Sequence, residues 1–115
     1  MEITIFFTYK DHPIYPYLIE WKNQKSHLHK INLTNNITEI KNGDILFLIA
    51  CSEIVKNKIL SNFKKTLCVH ESDLPKGRGW SPAVYSILNN EKKIFLTLFE
   101  AGEKVDSGDI WKKIF

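Results

Sequence analysis

The sequence predicts a three-layer α/β domain built on a mostly parallel sheet, and three observations predict it. Short, unbroken apolar runs rich in β-branched and aromatic residues recur along the chain, as strands covered on both faces require. Between them lie segments whose apolar residues repeat at helical spacing. The two kinds alternate, and strand–helix alternation of this sort packs helices on both sides of one sheet.

Glu2 to Thr8 (EITIFFT) is the first strand, with no polar alternation. Ile14, Tyr17, Leu18 and Trp21 then recur at helical spacing, which lays a helix over that strand. Leu28 to Leu33 alternates weakly and reads as an edge strand, and Asn42-Gly43-Asp44 as a turn. Ile45 to Cys51 (ILFLIAC) is the strongest strand signal and belongs at the centre of the sheet. Ser52 can cap a helix whose buried face is Val55, Ile59 and Phe63, because a serine oxygen accepts from the orphan amides of a first helical turn.

Thr66 to His70 is another buried strand. Ser81-Pro82 reads as the N-cap and first position of a further helix, with Val84, Ile87 and Leu88 inward and Asn89-Asn90 at its end. Lys93 to Glu100 is a strand with Ile94, Leu96 and Leu98 on one face, and Ile110 to Phe115 is the last, an edge that invites pairing with a second copy or a partner chain. No internal repeat or low-complexity segment interrupts the chain, so residues 1–115 are expected to form one domain.

With 115 residues, 43% of them hydrophobic, the chain can bury a real core. The net charge of +3 comes from scattered lysines rather than a run, which gives no electrostatic footprint for nucleic acid. No long apolar stretch suits a membrane, and no signal peptide is evident, so the expected location is cytoplasmic, with Cys51 and Cys68 as reduced thiols. No CxxC or HxxxH spacing points to a metal.

Ligands of open α/β sheets bind beyond the carboxyl ends of the strands. His70 ends one strand and Ser52 opens the loop after its neighbour, so both fall on one rim. The segment Leu74 to Trp80 (LPKGRGW) has glycines that let backbone amides approach an anion, yet it matches neither the P-loop nor the dinucleotide fingerprint. Trp80 reads as packing on the helix it precedes. Tyr9, Lys10 and Asp11 share the rim after the first strand, while His12, His27 and His29 read as surface residues.

Several of these residues also carry a resemblance. His70, Ser72, Leu74-Pro75, Arg78-Gly79 and Pro82, then Thr97-Leu98-Phe99-Glu100 and Val105-Asp106-Ser107-Gly108-Asp109, stand in the order and spacing of the folate-dependent formyltransferases. The sequence is most similar to a branch with HxSDLPKGRGWSP where better-known members have HPSLLPxxRG. The resemblance implies the Rossmann-like formyltransferase fold and transfer of a formyl group from 10-formyltetrahydrofolate to an amine of a small acceptor, such as an amino sugar.

By the same resemblance His70 and Asp106 match the catalytic histidine and aspartate. The loop residues Ser52, Leu74, Arg78, Gly79 and Val105 border the folate, and Tyr9 to Asp11 face the acceptor. A histidine can move the proton that leaves the attacking amine, and a carboxylate can fix its tautomer. Where the family places asparagine, two residues before the histidine, this chain has Cys68. A thiol is a weak single donor, whereas an amide offers two strong ones to an oxyanion. Nothing near Cys68 in the sequence lowers a thiol pKa as nucleophilic attack would require. Family domains run to nearly twice this length, so the resemblance covers the front part of such a domain and implies that the usual C-terminal part is lacking. A noncatalytic binding or assembly domain of the same fold is the alternative reading.

Overall fold

The computed structural model of the chain describes residues 1–8, 10–51, 53–70, 96–101 and 110–114. These form six strands, two α-helices and a 3-10 turn at Ile37–Glu39: β1 (Glu2–Phe6), α1 (Tyr15–Lys25), β2 (Lys30–Thr34), β3 (Gly43–Leu48), α2 (Asn57–Leu60), β4 (Phe63–His70), β5 (Leu96–Glu100) and β6 (Ile110–Ile114). The strands make one sheet in the order β2-β1-β3-β4-β5-β6. The first four are parallel, while β5 runs antiparallel to β4 and β6 antiparallel to β5.

Both faces of the parallel half are covered, which explains why its strands read as unbroken apolar runs. On one face Ile3, Ile5, Phe7 and Ile31 pack with Leu18 of α1, joined by Ile14, Tyr15, Trp21, Phe47 and Ile49. The rings of Phe7 and Tyr15 meet at 5.0 Å with a tilt of 54°, a favoured aromatic geometry. On the other face Phe6, Leu46 and Leu48 pack with Ile40, Val55, Leu60 and Phe63. The two sets alternate along β1 and β3, as a side-chain period of two dictates.

The edge strand β2 and the central strand β3 stand where the sequence placed them, with shifted ends. Gly43 and Asp44, read as a turn, already belong to β3. A Cβ on Gly43 would meet the Glu2 carbonyl oxygen at 3.0 Å, so glycine is what lets the strand begin that early. At its other end β3 stops at Leu48, and Ile49 to Cys51 lead out of the sheet. Ala50, with φ of 48°, cannot continue an extended strand.

In α1, Tyr17 is 66% exposed instead of packed. Ile14, Leu18 and Trp21 define the inward stripe, and Tyr17 projects roughly a quarter-turn from it. The helix expected over Val55, Ile59 and Phe63 shrinks to the single turn Asn57–Leu60, with Lys56 as its N-cap. Val55 is buried before the helix starts, and Phe63 opens β4 by pairing with Gly43. Strand pairing thus takes residues that helical spacing alone would have assigned to the helix. The helix expected from Ser81 and the start of the Lys93 strand lie outside the described residues.

Two charged groups and a backbone amide fix the amino-terminal ends of the central strands. The Asp44 carboxylate accepts the Glu2 amide at 2.8 Å and pairs with the Lys64 ammonium at 3.0 Å. β1, β3 and β4 are therefore tied at one level.

Candidate functional site

The carboxyl ends of the parallel strands form one rim. The Phe7 amide donates to the Thr34 carbonyl (3.2 Å), the Ile49 amide to the Phe6 carbonyl (3.0 Å) and the Thr8 amide to the Ala50 carbonyl (3.3 Å), so β2, β1 and β3 end together. Phe6 pairs with Leu48 and Leu48 with Cys68. His70 therefore stands two positions above that shared level, where β3 has already turned away at Ala50.

The chain leaves β1 toward β2 and leaves β3 toward β4, so the loops diverge between β1 and β3. Such a divergence opens a crevice at the carboxyl ends of the strands. The loop after β3 flanks it with a defined shape. Half-buried Cys51 donates its thiol to the Glu53 carbonyl at 3.1 Å and also hydrogen-bonds the Thr8 side chain. Burial pushes the Cys51 thiol pKa up, overriding the opposite effect of those hydrogen bonds, so the sulfur is a neutral donor here.

Cys68, the residue standing in the asparagine position, is half-buried and packs against the Phe6–Leu46–Leu48 cluster. Its thiol lies 3.8 Å from the Val69 carbonyl, a weak contact. Phe99 of β5 pairs directly opposite Cys68, and Thr97 opposite His70.

Because β5 is antiparallel, it starts at the His70 rim and runs away from it. The Ala101 amide bonds to the Thr66 carbonyl at 2.9 Å, four positions back along β4 from His70. The chain re-enters the sheet at Ile110 opposite Phe99, level with Cys68. Asp106 lies in the intervening segment, outside the described residues, as do Ser52, Leu74, Arg78, Gly79 and Val105. Five residues from Ala101 to Asp106 can span about 17 Å, more than the roughly 13 Å taken up by four strand positions.

One rim residue that the sequence reading left at the surface has a defined place. His12, half-buried in the loop between β1 and α1, accepts the Ile14 amide on Nδ1 at 3.1 Å, while its carbonyl accepts the Tyr15 amide at 3.0 Å. The signal was the spacing His12-Pro13-Ile14, which puts an acceptor two residues before a helix start that lacks a side-chain cap. Among the described residues no three His, Cys, Asp or Glu side chains gather as a metal site, and no helix is long and apolar enough to cross a membrane.

No family model matches the chain. It is 40% identical over 70 residues to the methionyl-tRNA formyltransferase of Finegoldia magna, an alignment covering 60% of this chain and 23% of that protein. With the methionyl-tRNA formyltransferase of Buchnera aphidicola it shares 33% identity over 92 residues, 79% of this chain and 29% of the other. The chain thus spans about a quarter of the length of the curated relatives it matches.

Among solved structures, the methionyl-tRNA formyltransferase from Clostridium thermocellum superposes with a TM-score of 0.87 at 25% identity, covering 99% of this chain and 52% of that one. The formyltransferase PseJ from Anoxybacillus kamchatkensis shares the fold, with a TM-score of 0.76 at 18% identity over 99% of this chain and 59% of its own. The aligned sequences make the chain a relative of the methionyl-tRNA formyltransferases, and its sheet has the Rossmann-like formyltransferase fold.

Proposed function

We propose that the chain transfers a formyl group from 10-formyltetrahydrofolate to an amine of a small acceptor, with an amino sugar as the favoured class, in the cytoplasm. The observation that carries this reading is His70 at the end of β4, on the carboxyl rim beside the divergence of β1 and β3. The folate donor is supported by neighbours of the same fold: PseJ was solved with tetrahydrofolate and a UDP-linked formamido sugar, and WlaRD, a sugar 3N-formyl transferase, with dTDP and 5-N-formyl-THF. Other relatives are named for methionyl-tRNA.

In the reaction the acceptor nitrogen attacks the formyl carbon and negative charge develops on the formyl oxygen. His70 takes the proton that leaves the nitrogen, and Asp106 holds the ring in the tautomer that can accept it. Ser52, Leu74, Arg78, Gly79 and Val105 border the folate. Cys68 supplies at most a weak donor to the oxyanion, so this chain stabilises the intermediate less than an asparagine would.

The second reading, a noncatalytic binding or assembly domain, is favoured by that same cysteine, which packs against the core cluster where the family places an asparagine. The edge strand β6 is where such a partner, or a second copy, would add. Calorimetric titration with 5-formyltetrahydrofolate separates the two. The enzyme reading expects saturable binding that survives His70→Ala; a folded wild-type sample that takes up no folate sinks it.

A further inference from the structure

We propose that Asn42 is a modification site, where the side-chain amide is lost by reaction with the Gly43 backbone, and that the charged tie at the amino end of the sheet sets the rate. Asn42-Gly43 is the one Asn-Gly pair in the sequence. Asn42 is exposed and precedes β3, so water reaches its amide, and Gly43 has no Cβ to screen its nitrogen from the asparagine side chain. In the reaction the Gly43 nitrogen gives up its proton and bonds to Asn42 Cγ, the side-chain nitrogen leaves as ammonia, and a succinimide ring closes. Water then opens the ring at either carbonyl. One opening leaves aspartate; the other leaves isoaspartate, with the backbone running through the former side chain.

The fold holds this reaction back. The Gly43 amide donates to the Asn62 carbonyl at 3.2 Å and Gly43 pairs with Phe63, so the attacking nitrogen is engaged and cannot turn to meet Cγ while the strand end is closed. Closure of that end rests on the next residue, since Asp44 accepts the Glu2 amide at 2.8 Å and pairs with Lys64 at 3.0 Å. Lys64 is exposed and Asp44 half-buried, and contacts of this kind at a strand end open far more often than the whole fold does. The tie is therefore the latch on the chemistry. The isoaspartyl product does not fit the closed end. A Cβ on Gly43 would already meet the Glu2 carbonyl oxygen at 3.0 Å and the Phe63 ring at 3.3 Å, and an extra methylene in the backbone before Gly43 pushes it against those groups. Modification thus unzips the start of β3 and sets a new carboxylate two residues from Asp44.

For the test the full chain is kept in water enriched in heavy oxygen at mildly alkaline pH, and its peptides are mapped by mass over time. Wild type should exchange the Asn42 amide for a carboxyl carrying heavy oxygen ahead of every other asparagine, at a rate about tenfold below that in concentrated urea. Asp44→Ala and Lys64→Ala should each raise the native rate a few-fold and leave the rate in urea unchanged; Lys64 is remote in sequence, so a local effect on the Asn-Gly pair would not produce this. Asn42→Gln should keep the melting temperature and abolish the change, because the longer side chain closes its larger ring too slowly. Aged wild type enriched in isoaspartate should melt lower than fresh protein. Equal rates in native buffer and in urea, a native rate indifferent to both Asp44→Ala and Lys64→Ala, or an Asn42 that outlasts the other asparagines of the folded chain each overturns the proposal.

Discussion

Thr66 shows how a single side chain exposes the accounting of this fold. It is buried in β4, and among the described residues its hydroxyl has no hydrogen-bond partner although its carbonyl is taken by Ala101. An unsatisfied buried hydroxyl costs its desolvation with nothing in return. Thr66→Val, nearly the same shape without the polar atom, is expected to raise stability by about 1 kcal/mol in denaturant unfolding. A destabilised variant would mean the hydroxyl has a partner after all. Asp44 gives the opposite case. Its carboxyl pKa is held below the ordinary value first by the Glu2 amide and then by Lys64. A carboxylate favoured in the folded state adds stability that is fully present above its unfolded pKa and is lost as pH falls through the lower, folded one. Asp44→Asn should therefore flatten the acid limb of the stability–pH curve and leave its neutral-to-alkaline shape intact.

At the scale of elements, β3 is the strand on which the others depend. Leu46 is fully buried at its centre, so Leu46→Ala should cost about 3 kcal/mol by chemical denaturation. The order and character of the parallel strands were legible in the sequence because runs such as Ile3 to Phe7 and Ile45 to Leu48 can be satisfied only between two covered faces. Strand and helix ends were not. Gly43 joins β3 because of a close approach to Glu2, and Phe63 joins β4 because it pairs with Gly43. Both are contacts between residues far apart in sequence, which local periodicity does not encode. The same holds at the rim. His70 was legible as a strand end, but the antiparallel direction of β5, which carries the chain away from His70 as far as Ala101, was not. His12 reads as a surface residue because a lone histidine before proline carries no periodic signal, and its spacing to the start of α1 gains meaning only once the Ile14 amide is seen on Nδ1.

For the whole molecule, the proposal is that a Rossmann-like sheet shared with the methionyl-tRNA formyltransferase from Clostridium thermocellum presents His70 at the rim where formyl transfer would take place. Cys68 sets the expected pace. Restoring the amide in Cys68→Asn should raise the transfer rate, by up to the roughly hundredfold that one oxyanion donor is worth. No gain would mean that another group already fills that role. The most direct measurement incubates the full chain with isotope-labelled 10-formyltetrahydrofolate and a panel of amino-sugar nucleotides, and reads each acceptor by mass. The account predicts a labelled one-carbon gain on at least one acceptor with wild type and its loss in a His70→Ala variant that melts at the same temperature. Equal transfer by the two proteins, or none by a folded wild type, would contradict it.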